Sequence, residues 1–127
     1  MDILLDTHVI LWFFKNDARL SKSAIDAINN PINKKYVSIA SIWEAGIKHS
    51  LGKLKLTGSF DNFVETIDDN GFLLMEITTE HIKTTMQLPY HHRDPFDRML
   101  IAQSISEGIF LMTDDENVMK YDINPIW

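Results

Sequence analysis

The 127-residue sequence contains no cysteine, which excludes disulfides and thiolate metal sites together. That absence fits a reducing compartment without requiring one. Long apolar runs are missing as well: none approaches the ~20 residues of a membrane-spanning helix. The N-terminus opens on Asp2 and a short apolar run, not on a basic stretch backed by a long apolar segment. No signal peptide is therefore expected, no membrane partner, and a cytoplasmic location. No linker, repeat or low-complexity stretch interrupts the chain, so it reads as a single domain over residues 1–127. Positive charge is in deficit, with Lys+Arg 12 against Asp+Glu 18 and a net charge of −6. A general nucleic-acid binder is usually basic, which counts against simple duplex coating. The deficit is uneven: residues 56–80 carry six acidic side chains and no basic one, whereas residues 1–55 carry eight basic against five acidic.

What is present is an alternation of strand and helix signals. Asp2–Leu5 is uniformly apolar after its first residue and reads as a buried strand, followed by a helix over Thr7–Lys15. Ser21 opens a second helix that Asn29-Asn30-Pro31 ends. Tyr36–Ile39 reads as a strand, Ala40–Leu51 as a helix closed by Gly52, and Ser59–Asp69 as a helix stopped by Asn70-Gly71. Phe72–Ile77 (strand), Thr78–Leu88 (helix), Pro95–Glu107 (helix ended by Gly108) and Ile109–Thr113 (strand) follow. Glu116–Tyr121 predicts a short helix and Ile123–Trp127 an edge strand. The expected fold is a single α/β domain, a central, mostly parallel sheet of four to five strands covered by helices on both faces. In such folds ligands bind at the carboxyl ends of the strands.

Acidic residues recur at those ends. Asp6 follows the first strand, where it suits a helix N-cap and a metal ligand equally. Glu44 lies one turn into the third helix. It reads either as a capping-box partner of Ser41 or, beside the apolar Ile42, Trp43, Ala45 and Ile47, as a ligand or ligand-orienting group. In Asp94-Pro95-Phe96-Asp97 the first aspartate is assigned mainly to capping and the second mainly to a metal. Asp114 and Asp115 follow the fourth strand; one suits a cap and the other a ligand, and nothing local separates them. Carboxylates gathered in one place need a cation between them, and oxygen donors point to a hard divalent ion, Mg²⁺ or Mn²⁺. His8, His49, His81, His91 and His92 show no zinc-ligand spacing. Trp12, Phe13 and Phe14 read as core. Lys48, Lys53 and Lys55, with Lys34 and Lys35, form the best basic patch for a polyanion.

The segments ILLDTHVILWFF, SIASIWEAGIKHSLGKLKL, HHRDPFDRMLIAQS and LMTDDENVMKY, in this order, together resemble the PIN domain family, and within it the VapC-type toxins of bacterial toxin–antitoxin pairs. That resemblance implies Mg²⁺- or Mn²⁺-dependent cleavage of RNA. It puts an acidic quartet on Asp6, Glu44, Asp97 and, from the Thr-x-Asp pattern, Asp115, with Thr113 as an ordering hydroxyl and Asp94 and Asp114 as additional acids. It also implies a small cognate antitoxin and a homodimer, for which the apolar run Leu11–Phe14 offers a face. Thr7, Lys48, His91, His92, Arg93 and Arg98 border the acids and are candidate RNA contacts. Two other readings use strand-end acids and Mg²⁺. A receiver-like signalling module would need an acidic pair after the first strand, and a dehalogenase-type phosphatase an Asp-x-Asp there. Asp6-Thr7-His8 supplies neither.

Overall fold

The computed structural model describes residues 1–127. Five strands form one sheet: β1 (Asp2–Leu5), β2 (Lys34–Ser38), β3 (Leu73–Met75), β4 (Phe110–Met112) and β5 (Asn124–Ile126). Their order is β3-β2-β1-β4-β5 and every pairing is parallel. The six helices are α1 (Thr7–Lys15), α2 (Lys22–Asn29), α3 (Ile39–Ser50), α4 (Phe60–Asp69), α5 (Thr79–Gln87) and α6 (Pro95–Glu107).

Parallel strands need helical crossovers, and those crossovers bury both sheet faces. Successive residues of β1 show this directly. Ile3 and Leu5 join a core with Val9, Ile10, Val37, Phe63 and Phe72 under α1–α4, while Leu4 joins a second core with Leu100, Ile101 and Leu111 under α6. All three β1 side chains are fully buried, each contributing roughly 1.5–3 kcal/mol. The architecture is therefore three layers, helices–sheet–helices. α6 is buried at Arg98 and at every position from Leu100 to Ser104, because it packs against α3, α5 and β4 at once. Gly108, at φ 66°, takes the left-handed conformation that ends it.

Four local readings are revised. β2 starts at Lys34, two residues earlier than its aromatic and β-branched part, and ends at Ser38, whose side chain caps α3 by accepting from Ala40 N–H. Ser41 is therefore inside α3 and forms no capping box with Glu44. The expected helix over 116–121 is only a 3₁₀ turn, Val118–Lys120. Leu11–Phe14 is no free dimer face: all four side chains are partly buried against the α1–α4 core. The exposed large apolar groups instead include Ile39, Trp43 and Ile47 on α3 and Ile82 and Met86 on α5.

Candidate metal centre

The chain runs β1→β2→β3 in one direction across the sheet and resumes at β4 on the other side of β1. The strand order thus reverses between β1 and β4, and the crevice at their carboxyl ends is where such sheets bind ligands. Leu5 pairs with Met112, so the residues that follow, Asp6 and Thr113, emerge side by side. Asp6 N–H donates to Met112 O (3.1 Å), and Thr113 Oγ1 donates to Asp6 Oδ2 (2.8 Å). α3 and α6 pack against each other and bring Glu44 and Asp97 to the same end.

Asp6 takes the cap position its place in the chain allowed. It caps α1, with Oδ1 accepting from His8 N–H at 3.3 Å, and it faces the other acids. Thr113 is fully buried and works in both directions, accepting from Asp115 N–H (3.1 Å) while donating to Asp6. Asp115 Oδ1 in turn accepts from Asn117 N–H (2.8 Å). One hydroxyl thus ties the loops after β1 and β4 together. Glu44 is buried, 4% exposed; Oε2 accepts from Lys48 Nζ at 2.7 Å, and Oε1 has no partner. Asp94 is the cap of α6, accepting from Phe96 and Asp97 N–H (2.8 and 3.1 Å).

Asp97 Oδ2 lies 2.7 Å from His92 Nε2. His92 Nδ1 accepts from Arg93 N–H (3.1 Å), so the ring proton sits on Nε2 and is given to Asp97. One ligand atom each of His92, Asp97 and Asp115 lies within 4.8 Å of the others. A protonated Nε2 has no lone pair for a cation, so His92 orients Asp97, and the carboxylates are the candidate donors.

The electrostatics record the crowding. Burial first, then the charges of Asp6, Asp94 and Glu44, push the Asp97 carboxyl up to about 6 against the lowering by the His92 hydrogen bond. Burial also raises Asp6; its hydrogen bond from Thr113 and the nearby His8 oppose this, and Asp115 adds to it. Lys48 is raised, first by its bond to Glu44, then by Glu44, Asp94 and Asp97 as charges. A divalent cation fits this donor set. Glu44 Oε1 is a buried acceptor that nothing in the protein satisfies, and burial together with the neighbouring acids holds the Asp97 carboxyl above its ordinary value.

A protein-family model, the PIN domain, matches residues 3–124. The chain belongs to the PIN domain family. No curated protein matches it. Among solved structures, VapBC2 from Rickettsia felis bound to a DNA fragment from their promoter superposes with a TM-score of 0.72 at 12% identity, covering 99% of this chain and 98% of that one. DNA-bound VapBC from Salmonella typhimurium gives 0.71 at 16%, covering 99% and 97%. VapBC-1 from nontypeable Haemophilus influenzae gives 0.68 at 14%, covering 99% and 97%. These likenesses concern the fold. The family match sets aside the receiver-like and dehalogenase-like alternatives.

Within this PIN domain, Asp6, Glu44, Asp97, Asp115 and Thr113 come together, with Asp94 and Lys48 beside them. Asp114 does not join them: it is exposed, and its charge is felt by Arg19. Thr7 is buried with its hydroxyl donating to Ser41 Oγ (2.8 Å), locking α1 to α3 instead of facing RNA. Arg98 is buried too. Its guanidinium donates to the carbonyls of Thr85 and Pro89 (2.8 and 2.9 Å) and to Tyr121 Oη (3.2 Å), under the ring of Tyr90. It pins the loop before α6 and is not free for substrate. His91 packs edge-on against Tyr121 and, with Arg93, is exposed. Trp43 is exposed although Glu44 beside it is buried. The orienting role of His92 was missed in the sequence, since a contact five residues apart across a helix start has no fixed spacing. The Glu44–Lys48 pair does have one, the i,i+4 helical spacing.

Proposed function

We propose that this PIN domain is a metal-dependent endoribonuclease acting as the VapC-type toxin of a toxin–antitoxin pair, with Asp6, Glu44, Asp97 and Asp115 as its catalytic, metal-holding acids. The observation that carries the reading is the convergence of carboxylates from four distant segments on one crevice, with Glu44 Oε1 buried and unpartnered among them. Asp6 and Asp97 are the principal ligands in this reading, Asp115 completes a second position, and Glu44 holds a ligand or a water. The ion is Mg²⁺ or Mn²⁺; when bound it acidifies water and neutralises charge on the phosphoryl oxygens.

The protein's own part is positioning. Thr113 holds Asp6, His92 holds Asp97, and Asn117 N–H holds Asp115, so three carboxylates are each oriented by a hydrogen-bond donor. Glu44 Oε1, buried and without a partner, is the oxygen that would face the ion or a water on it. Lys48, half exposed beside the acids, and the exposed His91 and Arg93 are the groups available to an RNA backbone.

The structural likeness to VapBC complexes supports a small cognate antitoxin as partner, and an antitoxin Arg or Lys entering the acids would be favoured electrostatically. A homodimer through the exposed apolar side chains of α3 is part of the same reading: Ile39, Trp43 and Ile47 recur every four residues. No helix is long and apolar enough to cross a membrane.

Incubation of the purified protein with total cellular RNA, with Mg²⁺, Mn²⁺ or EDTA, and with end mapping, tests the activity. Cleavage that requires the metal and disappears in Asp97→Ala is expected. Asp97→Ala protein cutting at the wild-type rate, in a preparation shown to be free of contaminating nuclease, would refute the assignment.

A further inference from the structure

We propose that Lys48 is the residue that sets which divalent cation this site accepts, because its ammonium occupies one oxygen of Glu44 and leaves the other as a single-oxygen ligand. The inference rests on the metal reading above and gives Lys48, named there only as a group available to an RNA backbone, a part in the choice of metal.

The geometry is specific. Lys48 lies one turn after Glu44 on α3, and its Nζ is 2.7 Å from Oε2. Oε1 of the same carboxylate is buried and unbonded. Glu44 therefore meets a cation with Oε1 free and with Oε2 already shared with an ammonium. Small octahedral ions such as Mg²⁺ and Mn²⁺ take carboxylates through one oxygen. The larger Ca²⁺ takes six to eight oxygens and can clamp a carboxylate through both of its oxygens. With Oε2 shared with Lys48, a clamp through both oxygens has to compete with the ammonium for that oxygen.

Lys48 is also placed to be the cluster's own counter-ion. Its ammonium is held in place by the attraction of Glu44, Asp94 and Asp97. Like charges gathered without a counter-ion would push α3 and α6 apart, and Lys48 supplies positive charge from within α3. Its side chain is 44% exposed and reaches the acid along the helix surface, so it can swing toward water without disturbing the core.

Two effects of removing it are separable. Loss of a positive charge raises the affinity for every divalent cation alike. Freeing Oε2 favours the cation that uses both oxygens. The ratio of affinities, not either one alone, reads the second effect.

The experiment is calorimetric titration of Mn²⁺ and of Ca²⁺ into metal-free wild type, Lys48→Met and Lys48→Arg, with thermal melts in EDTA to establish that each variant is folded. Methionine keeps the apolar stem; arginine keeps the charge and the donors. Wild type is expected to prefer Mn²⁺, Lys48→Met to bind Ca²⁺ more tightly and narrow the preference by about tenfold, the effect usual for partners of metal ligands, and Lys48→Arg to stay near wild type. The EDTA melt of Lys48→Met is expected below that of wild type. An unchanged Mn²⁺/Ca²⁺ ratio in a folded, metal-binding Lys48→Met protein overturns the inference and leaves the metal reading standing. Wild type that binds neither ion removes both. None of these readouts depends on RNA cleavage.

Discussion

Replacing Asp97 by asparagine is expected to make the metal-free protein more stable while removing its capacity to bind metal. The Asp97 carboxyl is raised from 3.8 to about 6, first by burial and then by Asp6, Asp94 and Glu44. The native state therefore binds this proton more tightly than the unfolded chain does. Below pH about 4 both states are protonated and the group costs nothing. As pH rises from about 4 to about 6 the unfolded chain loses the proton that the native state keeps, and stability falls; above that window the whole cost is present. At about 1.4 kcal/mol per pKa unit, the displacement corresponds to about 3 kcal/mol as a ceiling. Asparagine retains an oxygen to accept from His92 and carries no charge. A gain of about 1–3 kcal/mol is expected at pH 7.5 in EDTA, several degrees in Tm for a chain of this size. Urea titrations in EDTA at pH 7.5 and near pH 4 measure it, and the gain should shrink toward zero at the lower pH. Mn²⁺ should stabilise wild type by mass action and leave Asp97→Asn unmoved. An Asp97→Asn protein no more stable than wild type at pH 7.5, or a gain that persists undiminished near pH 4, would refute the reasoning.

Arg98→Ala strips donors from the Thr85, Pro89, Leu88 and His92 carbonyls and from Tyr121. It should cost about 3 kcal/mol or more by chemical denaturation, with little rescue by lysine, whose ammonium cannot reproduce the planar fork. Asp115→Asn is expected to weaken Mn²⁺ binding by about ten- to a hundredfold in calorimetry, whereas Asp114→Asn, at an exposed residue whose charge is felt by Arg19, should leave it unchanged; equal effects would dissolve the distinction between them. Trp43→Glu places a charge in the exposed apolar row of α3 and should shift sedimentation from dimer toward monomer with the far-UV spectrum intact. An unaltered dimer would move the interface elsewhere.

The layers of the fold were legible because parallel sheets write themselves as short apolar runs alternating with helical periods. Ile3-Leu4-Leu5 could not be half exposed, and its three side chains do fall on opposite cores. Helix starts were equally plain where a side chain caps them: Thr78 and Asp94 cap α5 and α6. Boundaries failed where tertiary contacts overrode local preference. Lys34 and Lys35 have no marked strand preference, yet they pair with Asp2 and Ile3 because β1 is already there to pair with. Glu116–Tyr121 has the composition of a helix but makes only a single 3₁₀ turn, with Val118 and Tyr121 drawn into the second core.

The acids at strand ends were legible for a topological reason: a parallel sheet whose strand order reverses beside β1 must bring the residues after β1 and β4 together. What local pattern could not decide was which of two adjacent carboxylates would face inward. Past the end of β4 the chain turns, and the hydrogen bond from Asp115 N–H to Thr113 Oγ1 fixes that turn; Asp115 faces Asp6 and Asp114 faces solvent. The choice is made by a hydroxyl that is itself oriented by Asp6, 107 positions earlier in the chain. Thr113 and Asp6 are thus one device: valine at 113 would preserve the strand and lose both bonds. The difference between a strand that ends beside an acid and a strand that aims one is a single buried oxygen.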